Sequence, residues 1–253
     1  MKIKVGSARI NEFGEISGGQ AGDQNGKECM IEDCYIHPLG WVIIRAHSKD
    51  VRRKIAQDMI YACSNDLIGY DQPKDLTMLE IAKQFGYDCS KVNRPCDTDC
   101  AKTVVCCVRY AGIDCEIFYT GNEIEKLAET GEFEIITDKE YCNDMNNYVV
   151  GDILCTPQKG HTCVVVATND IMNTFEFYCN TTESGIYKTR GMVNIREFAG
   201  MDAKIVGIIP NNSEVNCVGI VAYETMQNKK WFYVDYLGKR GFASETLLYK
   251  KEV

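Results

Sequence analysis

The apolar residues of the 253-residue chain change their period at about residue 150, and nothing else in the sequence constrains the fold as strongly. Upstream the spacing is helical. After Ser48, a residue with N-cap character, Val51, Ile55, Met59 and Ile60 recur on one face through about Cys63. A second helical pattern covers Leu76 to Phe85 and stops at Gly86, and a third runs from Cys100 to Tyr110 and ends at Gly112. The β-branched residues of this third run would also suit a strand, but its length favours a buried helix carrying Cys100 in its first turn. A fourth helix fits Asn122 to Thr130. Downstream the runs are short: Asp152 to Cys155, His161 to Val166, and Thr174 to Asn180. Helices followed by strands predict an α+β domain. From about Gly185 short strands alternate with Gly, Asn and Asp turns, which predicts a small all-β barrel and divides the chain into residues 1–183 and 184–253.

A formal charge of −8, with Lys and Arg spread thinly, excludes a phosphate-binding face and with it a nucleic-acid partner. No segment approaches the roughly 18 apolar residues of a membrane span, and the opening Met1 to Arg9 lacks a secretory stretch. The expectation is a chain made in a cytoplasm, with no membrane insertion and no obligate protein partner. Its 14 cysteines lie inside apolar runs such as Val104 to Val108, where a thiol is a small buried hydrophobe. Cys29/Cys34, Cys96/Cys100 and Cys106/Cys107 lack the paired CxxC spacing of structural zinc, so no metal or cofactor is implied.

A nucleophilic thiol needs a depressed pKa and a base within reach, and a helix N-terminus helps with the first. Cys100 has that position. Only His37, His47 and His161 can supply an imidazole; the first two fall in loops, whereas His161 opens an apolar strand at a sheet edge. A third residue to orient the imidazole is sought on the strand from Thr174 to Asn180. There Glu176, Tyr178 and Asn180 share one face, with Asn180 preferred over Glu176 and a simply solvated face as the other reading. Asp23, Gln24 and Glu28, in a Gly-rich segment, and Asp99 beside the thiol are candidates to line a substrate cleft; the loop residues equally suit stabilising a turn.

Asp99-Cys100 at a helix start, Gly151-Asp152-Ile153-Leu154, and Gly160-His161 leading a strand together resemble the Asp-Cys … Gly-Asp-hydrophobic … Gly-His pattern of NlpC/P60 and CHAP cysteine hydrolases. The segments Ile16 to Glu28, Ile68 to Asp71 and Phe118 to Glu123 are similar to NlpC/P60-like phage endolysins, and the resemblance covers roughly residues 8–167. It implies a papain-like α+β core in which Cys100 attacks an amide carbonyl and His161 shuttles the proton. Ala101 and Lys102 depart from the small hydroxyl residue usual after the nucleophile. Val193 to Arg196 and Gly238 to Ala243 resemble the opening and close of bacterial SH3 domains. That implies a wall-binding module in which Trp231 and Tyr233 contribute an aromatic groove, though for each of them a core position is the competing reading. The resemblance as a whole implies a peptidoglycan hydrolase, an endopeptidase or amidase, released to the wall by a holin. A deamidase or transglutaminase-like enzyme acting on protein, or a wall-binding protein with a decayed catalytic domain, are the alternatives.

Overall fold

The computed structural model describes residues 3–168, 175–197, 199–201, 203–224 and 229–251 and divides into two compact units, Met1–Asn169 and Asp170–Val253. In the first unit Ser48 caps α1 (Lys49–Cys63) by accepting the Val51 N–H, as its sequence position led one to expect. Before it lie three short strands, β1 (Lys4–Ala8), β2 (Cys29–Asp33) and β3 (Val42–Ala46), which the apolar spacing of the sequence does not announce. After it come β4 (Ile68–Tyr70), α2 (Thr77–Lys83), β5 (Cys96–Thr98), α3 (Cys100–Tyr110), α4 (Glu123–Glu129), β6 (Phe133–Ile136), β7 (Ile153–Cys155) and β8 (Thr162–Ala167). Six of these strands form a sheet in the order β2-β1-β8-β7-β3-β6, and β4 pairs with β5 in parallel.

Helix α3 settles the ambiguity of its β-branched run. Every residue from Cys100 to Val108 is buried, so this is a helix enclosed on all sides by protein. It packs on β8, while α1 lies so close to β1 that a Cβ added at Gly6 would meet the Met59 side chain at 2.7 Å. On the other face of the sheet Val5, Trp41, Ile43, Leu154, Cys163 and Val165 form a second apolar cluster. Eleven of the thirteen described cysteines are buried and none is in a disulfide, which fits thiols used as small core residues.

The Gly151-Asp152 pair has a structural explanation. A Cβ at Gly151, which has φ of 89°, would collide with the Arg52 backbone carbonyl. The wholly buried Asp152 accepts two bonds from the Arg45 guanidinium, at 2.8 and 2.7 Å, and one from the Val149 N–H. Asp152→Ala strands the Arg45 charge and is expected to destabilise the unit by about 3–5 kcal/mol. Urea unfolding checks this; a change below 1 kcal/mol would show that Arg45 finds another partner.

The second unit is a seven-stranded antiparallel sheet curled into a half barrel. It comprises β9 (Phe175–Thr189), β10 (Val193–Arg196), β11 (Ile205–Ile209), β12 (Glu214–Glu224), β13 (Lys229–Tyr236), β14 (Lys239–Ser244) and β15 (Leu248–Lys250), ordered β11-β10-β14-β13-β12-β9-β15. Val193, Ile195, Val221, Phe232 and Val234 fill its core. Strand β9 pairs with β12 along most of its length, from Glu214↔Lys188 to Glu224↔Phe175, and so runs through the boundary expected between residues 183 and 184. Among the described residues no helix is long and apolar enough to cross a membrane.

Candidate functional site

Asp99 is the N-cap of α3: its carboxylate accepts the Lys102 N–H at 2.6 Å and fixes Cys100 as the first helical residue. Ala101 stands where the resemblance led to a small hydroxyl residue, and Lys102 after it bridges Asp75 at 2.9 Å and Asp99 at 3.3 Å. The Asp99 carboxylate is thus engaged from two sides by its own helix.

The Cys100 thiol is buried, and burial, reinforced by the nearby Asp99 charge, pushes its pKa up to about 12. The backbone N–H groups of Thr162 and Ala101 act in the opposite direction, which places the start of β8 directly against the sulfur. Thr162 follows His161, so the fold brings the two sequence-predicted segments side by side. The imidazole of His161 stacks toward Trp41, with ring centroids 6.4 Å apart, and Trp41 in turn lies 5.3 Å from His37. Burial, aided by the positive charge of Arg9, lowers the His161 pKa to about 4. Its Nε2 is buried with no hydrogen-bond partner among the described residues, and no thiol–imidazole hydrogen bond forms in this resting arrangement. Both groups are therefore neutral at pH 7.

This electrostatic state has a measurable consequence. Alkylation of Cys100 by iodoacetamide, read by mass spectrometry of its peptide, should be slow at pH 7 and rise about tenfold per pH unit to beyond pH 10. A plateau below pH 8 would mean that the thiol is already paired with an imidazolium.

Other candidate residues fall into different roles. Asp23 accepts five backbone N–H groups, from Asn25, Gly26, Lys27, Glu28 and Cys29. Gln24 bonds to the carbonyls of Ala21 and Gly22, and the wholly buried Glu28 accepts the N–H groups of Gln24 and Tyr70. All three side chains build the Gly-rich loop, which docks on β4 and β5 through Gly18 N–H to Asp71 and Gly22 N–H to Asp97. The side chains of Glu176 and Asn180 lie outside the described residues; their strand belongs to the sheet of the second unit. Trp231 and Tyr233 are buried within that unit, so neither presents its ring on an open aromatic surface.

Three features were not legible in the sequence. Glu123, at the start of α4, is wholly buried and accepts the Thr162 hydroxyl at 2.8 Å. A cavity of about 410 Å³, lined by Leu39, Trp41, Val42, Ile124, Lys139 and Pro157, shares Trp41 with the His161 stack. Asp58, Cys89 and Cys106 bring metal-ligand atoms together in the core, which the CxxC test could not detect because they come from three separate elements. Hydrogen bonds already serve that cluster, with the Cys89 N–H and thiol at 2.9 and 3.3 Å from Asp58.

No curated protein and no solved structure matches the chain. The family model of the endolysin-like domain matches residues 5–172, which takes in the Gly-rich loop, the six-stranded sheet, Cys100 and His161. The chain belongs to the endolysin-like domain family.

Proposed function

We propose that the protein is a peptidoglycan hydrolase that cleaves an amide bond of the bacterial stem peptide through Cys100 and His161. The observation that carries this reading is a thiol at a capped helix start, lying against the backbone of Thr162, the residue that follows His161 and opens β8, in a chain of the endolysin-like family. With both groups neutral at rest, the proton moves as the bond forms. The imidazole swings from Trp41 to take the Cys100 proton while sulfur attacks the carbonyl carbon. Resting hydrogen bonds of this kind are often long or unformed until substrate arrives. His161 then returns the proton to the leaving amine; water, deprotonated by the same imidazole, attacks the thioester carbon, the C–S bond breaks to give the carboxylic acid, and the imidazolium hands its proton back to the departing Cys100 thiolate. The Ala101 and Thr162 N–H groups that face the sulfur can donate to the developing oxyanion. The cavity beside Trp41 is the natural seat for an apolar part of the wall peptide.

The half barrel of the second unit serves, on this reading, as an SH3-like wall-binding module. Turbidity of a Gram-positive wall suspension tests the proposal. Clearance by the parent chain and not by His161→Ala is expected; clearance by both would remove His161 from the chemistry.

A further inference from the structure

Residue 123 sits at a core position where an apolar side chain would avoid the desolvation that a carboxyl incurs. It opens α4, is 0% exposed, and points at the start of β8 rather than outward like Glu125 and Glu129 of the same helix. Oε1 takes the Thr162 hydroxyl at 2.8 Å, and the Cys155 thiol also lies against the carboxyl. The same Thr162 turns its backbone N–H to the Cys100 thiol. One residue therefore joins the carboxyl to the sulfur.

We propose that Glu123 is a positioning residue of the thiol site, tethering through Thr162 the N–H that faces Cys100 and setting by its own charge how readily that thiol ionises. This rests on the reading of Cys100 as nucleophile. The groups that face Glu123 are Asp99, Lys102 and Cys100 from α3, Cys155 from β7, Cys163 from β8, and Cys115 from the segment after α3. Lys102 is the one cation among them, and it is committed to Asp75 and Asp99. Burial is the largest influence on Glu123 and raises its pKa to about 8, so the acid is neutral at pH 7 and becomes a carboxylate above pH 8. A carboxylate there joins Asp99 in opposing the thiolate. The device holds the amide in place at neutral pH and brakes thiol ionisation in alkali.

The test is native-state alkylation of the full chain by iodoacetamide between pH 6 and pH 10, read at the Cys100 peptide. Glu123→Gln keeps an acceptor for Thr162 and removes the charge. Its rate should match the parent within twofold below pH 7 and exceed it about threefold or more above pH 9. Parallel profiles across the whole range would overturn the electrostatic role. Thr162→Val keeps the side-chain shape and cuts the tether, and should slow alkylation at every pH; an unchanged rate would overturn the tether. Melting provides a check on folding. A carboxyl whose pKa is raised on folding contributes less stability as pH rises from 4.5 to 8, so Glu123→Gln should melt at or above the parent temperature at pH 8. A lower melting temperature there would show that residue 123 has a packing role only. Normal wall lysis by Cys100→Ala would instead sink the nucleophile reading and leave the alkylation comparison standing, because alkylation reads the thiol itself.

Discussion

Cys100→Ala is expected to lower wall lysis by about 10³-fold or more and to leave the fold intact. On the proposed mechanism the sulfur forms the covalent intermediate, and its loss leaves no nucleophile at the capped start of α3. Removing one buried sulfur from the first turn of α3 should change stability by no more than about 1–2 kcal/mol, since the Asp99 cap and the core from Ala101 to Val108 remain. The contrast lies in the other thiols. Cys106→Ala deletes a wholly buried sulfur from the same helix and should lower stability to a similar degree, with lysis falling only in step with the folded fraction. Cys163→Ser is the stricter control. Its side chain lies in the apolar cluster with Trp41 and Leu154, and a well-folded but inactive Cys163→Ser protein would show that the nucleophile is elsewhere.

The second large effect concerns the two units. A chain ending at Asn169 should fold on its own, because the six-stranded sheet, α1 and α3 all lie within residues 1–169. It should hydrolyse a soluble stem peptide at close to the parent rate and lose about 10²-fold on intact walls, if the second unit binds the wall as proposed and so raises the local enzyme concentration. Ending the chain at residue 183, as the sequence boundary suggested, would leave half of β9 without its β12 partner, and that product should aggregate. Equal loss on both substrates by the 1–169 chain would mean that the second unit completes the active site.

What the sequence revealed and what it hid divide along the reach of the interactions. Ser48 and Asp99 cap their helices through bonds to residues only three positions away, and such local chemistry is visible in a sequence. Strand β1 gains its place by pairing with β8, with Val5 opposite Val165, and no local signal announces a partner so distant. Strand β13 is buried at four successive positions, Trp231 to Val234, so alternation could not separate an aromatic surface from core. Glu123 sits in an acidic first turn that reads as a solvated helix start, and only the tertiary approach of Thr162 from β8 and Cys155 from β7 makes its carboxyl a buried group. The sequence left open whether Asp23, Gln24 and Glu28 faced a ligand or the loop itself; in the structure each bonds to the loop's own backbone, and only Glu28 is buried.

The most direct test of Cys/His amide hydrolysis is mass spectrometry of the fragments released from purified Gram-positive peptidoglycan. The expected products carry one new amine and one new carboxyl group within the peptide portion, on intact glycan strands, and are absent when Cys100→Ala replaces the parent chain. New reducing ends on the sugars, or the same peptide products from Cys100→Ala, would contradict it.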